Sequence, residues 1–194
     1  MNDRLQRALD AIDAANSEDP QTWVAGGEAG PKALVYGHKM SECLHRLVGE
    51  PSEVLQLAAR GQHIRRWRIS RDRYPATREG YLAWRSELYR FHAEQMSELL
   101  LSVAYDAPTI DAVARIVSKR GLHRDGDVQR IEDVACLVFL EHEFGTFAAG
   151  HAREKLIAIV RKTWSKMSAE GRAAALTIPL PAELAEIVAE AVQA

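Results

Sequence analysis

Three of the seven histidines are placed so that they could share one metal ion with a carboxylate. His38, His63 and His92 are spaced by 25 and 29 residues, and Asp133 follows 41 residues after the third histidine. Imidazole and carboxylate groups from separate helices can converge on a metal inside a helix bundle. The spacing therefore predicts one divalent metal ion held by His38, His63, His92 and Asp133.

Two adjacent carboxylates, Glu132 and Asp133, precede the apolar run VACLVFL. A helix that carries this run should be buried, and a buried charge is costly unless a cation or hydrogen-bond donors neutralise it. A metal ion would satisfy these carboxylates, and so would an arginine from residues 65–73. The pattern leaves both alternatives open.

Each histidine also has a simpler structural interpretation. His92 lies on a largely apolar helical stripe and could be a core histidine with one hydrogen bond. His63 could end a helix, where a positive charge is favourable. His38 lies on a different helical face from the apolar residues Tyr36 and Met40, so the pattern supports it least.

Positive charge is concentrated in residues 58–92. Nine arginines stand there against three acidic residues, a formal charge of +6, whereas the whole chain carries −2. Guanidinium groups such as those of Arg65 and Arg66 bind phosphate or carboxylate with paired hydrogen bonds. The same arginines could instead form ion pairs with the acidic remainder of the chain.

The local charge of +6 in residues 58–92 is compatible with a small anionic or phosphorylated ligand as the partner. A net charge of −2 argues against a general nucleic-acid binder, which needs a large basic face to displace counterions. An RNA-associated role is therefore the least favoured interpretation.

The N-terminal residues are amphipathic and acidic, unlike a targeting signal, and the longest apolar run, seven residues, is far shorter than a membrane span. We therefore expect no membrane contact and a cytoplasmic location. Cys43 and Cys136 have no CxxC spacing and are expected to be buried thiols.

Apolar residues recur with helical period along most of the chain, and no long segment alternates with period two. This predicts an all-α fold, a single compact bundle of about eight or nine helices over residues 1–194. Residues 17–31 are expected to be a loop. The helices are predicted from residue 5 to about 16, at 31–48, 52–67, after a Thr77 cap, after Pro108, over 131–144, at 151–167 and 168–177, and after Pro181.

Three segments resemble the domain-of-unknown-function family 4202. They are LAARGQHIRRWRISRDRYPATREGYLAWRSELYRFHAE, QRIEDVACLVFLE and EKLIAIVRKTWSKMSAEGRAAAL, and the resemblance runs over residues 5–176. The family name implies no activity.

A more distant similarity is to the HD superfamily of metal-dependent phosphohydrolases. It implies an HD-like all-helical fold in which a first His, a His-Asp pair and a later Asp surround one or two divalent metals. In this sequence His38 corresponds to the first His, His63 to the His of the pair, His92 to an additional ligand of some members, and Asp133 to the final Asp.

The sequence departs from the HD pattern at two positions. Ile64 stands where the paired Asp is expected, and Lys119 falls roughly where a further His often lies. These departures favour a mononuclear or lost metal site over a dinuclear one.

Two functions follow as hypotheses. The first is a divergent HD-like phosphohydrolase, in which a metal-bound hydroxide attacks a phosphoryl group held by Arg65, Arg66 and Lys119, with Glu132 as a further active-site candidate. The second is a non-catalytic, metal-free module that binds an anion or nucleotide, with Glu132 and Asp133 paired to Arg65 or Arg66.

Overall fold

Ten α-helices and one β-hairpin form the regular structure of residues 3–193, the part of the chain that the computed structural model describes. The predicted all-α class is confirmed, with ten helices where about eight or nine were expected. Residues 1, 2 and 194 of the predicted 1–194 domain lie outside the described part. The helices are α1 (Asp3–Asn16), α2 (Lys32–Val48), α3 (Glu53–Arg60), α4 (Arg78–Ser102), α5 (Ala107–Val117), α6 (Gly126–Val138), α7 (Phe144–Ala148), α8 (Arg153–Trp164), α9 (Ala169–Ala175) and α10 (Ala182–Val192).

Five further elements lie between these helices in the described residues. The strands are β1 (Thr22–Ala25) and β2 (Glu28–Pro31), 3₁₀ turns cover Arg66–Arg68 and Arg71–Arg73, and a π-helical turn, Phe139–Glu143, joins α6 to α7.

Helix α6 lies at the centre of the bundle. It contacts α2, α3, α5 and α9, and most of its side chains are buried. One cluster of buried apolar side chains draws residues from all ten helices. This explains the apolar run from Val134 to Val138 in the second half of α6, because a helix segment surrounded by others has little surface left for water.

The expectation of a loop over residues 17–31 is wrong in part, because β1 and β2 form an antiparallel hairpin there. Gly26 and Gly27 connect the strands, and both have positive φ angles, 56° and 81°. A two-residue hairpin turn of this kind needs positive φ, which glycine adopts without strain. Each strand has only four residues, too few for alternation to be visible.

The third helix ends earlier than predicted, at Arg60 rather than near Trp67. A Cβ on Gly61 would lie 2.2 Å from the Sδ atom of Met96, so α4 passes against the backbone at this point. The chain then continues in turns, with Ile64 fully buried. The early end matters for the site, because it leaves Gln62, His63 and Arg66 on a turn rather than on a helix.

Other sequence predictions agree with the structure. The side chain of Thr77 accepts a hydrogen bond from the backbone N–H of Gly80, 3.1 Å away, and so caps the long helix α4 as expected. Cys43 and Cys136 are buried free thiols. Within residues 3–193, no helix combines the length and the apolar character that crossing a bilayer requires.

We predict that Gly171→Ala destabilises the protein. A Cβ on Gly171 would lie 2.6 Å from Cγ of Asp133, so the start of α9 must shift away from α6. Overpacking of this kind costs about 1–3 kcal/mol, measurable as a fall in the free energy of unfolding in urea.

Gly145→Ala is the matched control. The new Cβ would lie 3.8 Å from Leu184, an ordinary contact, and alanine is the better helix former. Equal stabilities of the two variants would contradict the close approach of α9 to α6.

Candidate functional site

A cavity of about 540 Å³ opens between α2, the turn after α3, α4, the turn after α5, α6 and α8. This volume is within the range of about 300–1,000 Å³ typical of small-molecule sites. Five of the eight residues predicted from sequence line it, namely His63, Arg66, His92, Lys119 and Glu132. We call it the central cavity.

His63 and His92 meet in the central cavity. Their ring centroids lie 5.8 Å apart, and His63 also stacks on Tyr36 at 4.1 Å. Burial, with Arg66 and His92 nearby, holds the pKa of His63 well below its usual value. Burial, with Arg66 and Lys119, lowers the pKa of His92 to about 3. Both imidazoles are therefore uncharged at neutral pH, and each can donate a hydrogen bond from one ring nitrogen and accept one at the other.

Two arginines form one wall of the cavity. The guanidinium of Arg66 lies over the ring of Trp84 at 4.8 Å, and that of Arg85 donates hydrogen bonds to the hydroxyls of Tyr89 and Tyr81. Burial and the proximity of Arg85 lower the pKa of Arg66. Among residues 3–193, neither guanidinium forms an ion pair with a carboxylate. Both are held by aromatic side chains, which leaves their charge available to a ligand.

Glu132 is only 3% exposed and forms ion pairs with lysines. Lys119 donates a hydrogen bond to its carboxylate, and Nζ of Lys166 lies 3.6 Å from Oε1. Burial alone would raise the pKa of Glu132, but Lys119 and Lys166 hold it below its usual value. The neutralising partners of this carboxylate are thus lysines, and the expected pairing with Arg65 or Arg66 is wrong.

Two of the predicted cationic residues adopt left-handed backbone conformations. The φ angles are 50° at Arg65 and 56° at Lys119. Such conformations cost roughly 1–3 kcal/mol in residues other than glycine, and they cluster at functional sites. At Lys119 the turn after α5 carries the side chain to Glu132.

Arg65 does not line the cavity. Its backbone N–H donates to Oδ1 of Asn16 at 3.1 Å, and its side chain donates to Oε1 of Gln95 at 2.9 Å. The two neighbouring arginines therefore have different surroundings. Arg66 lines the cavity, whereas Arg65 connects α1 to α4 through its hydrogen bonds.

His38 lies elsewhere, between α1 and the hairpin. Its Nδ1 is 2.5 Å from Oε1 of Glu28 and its Nε2 is 3.4 Å from Oδ2 of Asp13. An imidazole can donate from both nitrogens only when it is protonated, so this arrangement favours the imidazolium ion. The hydrogen bonds to Asp13 and Glu28 raise the pKa of His38 above its usual value of 6.5, although burial opposes them.

Asp133 anchors helix α9 instead of facing the cavity. Its carboxylate accepts hydrogen bonds from the backbone N–H of Ser168 at 2.8 Å, the Ser168 hydroxyl at 2.5 Å and the Gln129 amide at 3.0 Å. Ser168 in turn caps α9. Hydrogen-bond donors of the protein therefore satisfy the buried carboxylate of Asp133. This carboxylate does not need a metal ion, which was one of the two alternatives that the sequence pattern allowed.

The four predicted metal ligands thus occupy three separate places. His63 and His92 lie together, whereas His38 and Asp133 each bind other protein groups. No three His, Cys, Asp or Glu side chains in the described residues are grouped so that they could hold a metal ion. A bound divalent metal stays a prediction.

Sequence reasoning missed several residues of the cavity. Tyr81, Arg85 and Tyr89 recur every four residues on α4, followed by His92, so that one helical face carries all four. That spacing is visible in the sequence and could have pointed to Arg85. The π-helical turn contributes Phe139 and Glu143, and π-helical turns are frequent at functional sites.

We predict that His38→Gln reduces stability most at mildly acidic pH. The raised pKa means that protonated His38 stabilises the fold fully below pH 6.5, and that this contribution is lost as the pH rises through the folded-state pKa. The difference in free energy of unfolding from wild type should therefore shrink between about pH 5.5 and about pH 8.5, a range that spans the ordinary titration of histidine. Urea denaturation at several pH values measures it.

The two carboxylates that bind His38 also form ion pairs with other residues. Nε of Arg60 lies 3.3 Å from Oδ1 of Asp13, and Nζ of Lys39 lies 3.3 Å from Oε2 of Glu28. Both ion pairs are present in wild type and variant alike, so the pH dependence of the difference between them comes from the histidine. His45→Gln on the exposed face of α2 is the control. A difference that is constant with pH would contradict the imidazolium assignment.

Comparison with known proteins gives one match. The family described as domain of unknown function (DUF4202) matches residues 6–188, almost the whole chain. No curated protein and no solved structure matches. The similarity to the HD superfamily therefore stays a hypothesis, whereas the closer resemblance is confirmed: the chain belongs to the DUF4202 family.

Proposed function

We propose that the central cavity binds a small phosphorylated ligand, such as a phosphate ester or a nucleotide, without a metal. The observation that supports this proposal most directly is that Arg66 and Arg85 line the same cavity and, among residues 3–193, neither forms an ion pair with a carboxylate at contact distance. A phosphate group could bind both guanidinium groups directly.

The charge of the cavity supports an anionic ligand. Five basic side chains and two acidic ones line it, an excess of three positive charges, while the whole chain carries −2. Such a local excess attracts an anion from solution and is strengthened where the walls exclude water. The basic residues are Arg66, Arg85, Lys119, Lys162 and Lys166, and the acidic ones are Glu132 and Glu143.

The two arginines are also held in position before any ligand arrives. Arg66 lies against Trp84, and Arg85 is bound by two tyrosine hydroxyls. A guanidinium fixed in this way loses little conformational entropy on binding and can form paired hydrogen bonds to phosphate oxygens.

We predict that inorganic pyrophosphate and phosphate esters raise the melting temperature of the wild-type protein, by preferential binding to the folded state. Arg85→Gln should weaken their binding by about tenfold or more, since a hydrogen bond to a charged group contributes roughly 1.5–3 kcal/mol. Isothermal titration calorimetry measures the dissociation constants. Ethylenediaminetetraacetate should leave the melting temperature unchanged.

Arg90→Gln is the matched control. Arg90 lies on the same helix but is exposed, and its nearest acidic partner is Glu94 at 3.7 Å. Equal affinities of the Arg85 and Arg90 variants would contradict the proposed phosphate site.

Metal-dependent phosphate-ester hydrolysis is the second candidate, favoured by the approach of His63 to His92 beside Glu132. The four residues expected to hold the metal do not fit one ion in this arrangement, because Asp133 and His38 are already bound by other groups. We therefore derive no catalytic step from a metal.

Elemental analysis of protein produced with added divalent metals tests this candidate. It predicts about one equivalent of metal in the wild type and none in His63→Ala or His92→Ala, by the usual loss of affinity when a ligand is removed. Wild-type protein free of metal would exclude it. In that case Asp133→Ala should still be less stable than wild type, because Ser168 and Gln129 lose their acceptor.

A further inference from the structure

Two residues that line the central cavity each have an uncharged polar side-chain atom without a hydrogen-bond partner among residues 3–193. These atoms are Oε1 of Gln62 and Nε2 of His92, on residues that are 1% and 2% exposed. Buried polar atoms are nearly always hydrogen-bonded in folded proteins, so an exception calls for a specific reason. Both residues line the same cavity, which suggests that a ligand satisfies these atoms.

A phosphate group does not suit these atoms. The amide oxygen of Gln62 is only an acceptor and would repel phosphate oxygens. His92 stays uncharged because burial and the cations Arg66, Lys119 and Arg85 disfavour its protonation. The arginine wall is the better place for an anion, and the two unpaired atoms need a neutral group with an O–H or N–H donor.

A hydroxyl group meets this requirement. It can donate its hydrogen to Oε1 of Gln62, and another hydroxyl can donate to or accept from Nε2 of His92 according to the tautomer. A ligand with hydroxyls at one end and a phosphate at the other would match both the neutral and the cationic part of the cavity.

We infer that the central cavity takes a hydroxyl-bearing phosphate ester, a sugar or polyol phosphate, and that Gln62 and His92 recognise its hydroxyl groups. This inference rests on the proposed phosphate site. It adds two residues that decide which phosphate esters bind, because an analogue without hydroxyls would leave their buried atoms unpaired.

The unpaired atoms also have a consequence for the protein without ligand. Gln62→Met removes an unsatisfied buried acceptor, so the variant should be at least as stable as wild type. Gln129→Met is the matched control and should be less stable, because the Gln129 amide donates to Asp133 and to the backbone oxygen of Lys166 at 2.8 Å. Urea denaturation without ligand measures both.

The direct test compares erythritol 4-phosphate with butyl phosphate, which have the same carbon chain and phosphate and differ in the hydroxyls. Glucose 6-phosphate and ribose 5-phosphate extend the series to sugars. We expect at least one hydroxyl-bearing ester to bind wild type about tenfold or more tightly than butyl phosphate in calorimetry. This preference should fall to about threefold or less in Gln62→Met and His92→Phe and persist in Gln129→Met, since lost hydrogen bonds reduce selectivity directly.

The outcomes separate the inference from the proposed function. If butyl phosphate binds as tightly as every hydroxyl-bearing ester, recognition of hydroxyls is overturned while the phosphate site stands. A preference that survives in Gln62→Met and His92→Phe overturns the assignment to these residues. If none of the four esters binds, the phosphate site and the inference fail together.

Discussion

The buried ion pair between Glu132 and Lys119 is the interaction on which the cavity depends. Glu132 lies on the central helix α6 and is almost inaccessible to water, so its charge is tolerable only beside a cation. Lys119 reaches it from the turn after α5 in a left-handed backbone conformation. The pair thereby fixes that turn against α6, and the space between it and α4 is the cavity.

Asp133, the next residue on α6, faces α9 rather than the cavity. Successive side chains on a helix point about 100° apart, so Glu132 can face the cavity while Asp133 faces α9. Asp133 binds Ser168 and Gln129, and Gly171 leaves room for its carboxylate. A carboxylate that lines the cavity and one that holds α9 are therefore adjacent in the sequence, and the same helix positions the cavity wall and the start of α9.

The sequence predicted most of the helices but not the contacts that the candidate site residues form. Period and caps located α1, α2 and α4, because those signals lie within each segment. The end of α3 depends on Met96, a distant residue, and could not be found locally. Burial of Glu132 and Asp133 was predicted, but their partners were not, since those come from other elements. The same holds for His38, whose partners Asp13 and Glu28 lie on α1 and the hairpin.

Several features that cost folding free energy lie beside the central cavity, although other left-handed residues, Ala104 and His123, lie outside it. Lys119 has a strained backbone, Gln62 and His92 have buried atoms without a hydrogen-bond partner among residues 3–193, and the nearby charge of Arg85 lowers the pKa of Arg66. Natural proteins are rarely at their stability optimum, so substitutions that stabilise the fold are easy to find. Selection for stability alone would therefore not retain these groups. Their presence beside the central cavity supports the proposed binding site, because strained and unsatisfied groups cluster at functional sites.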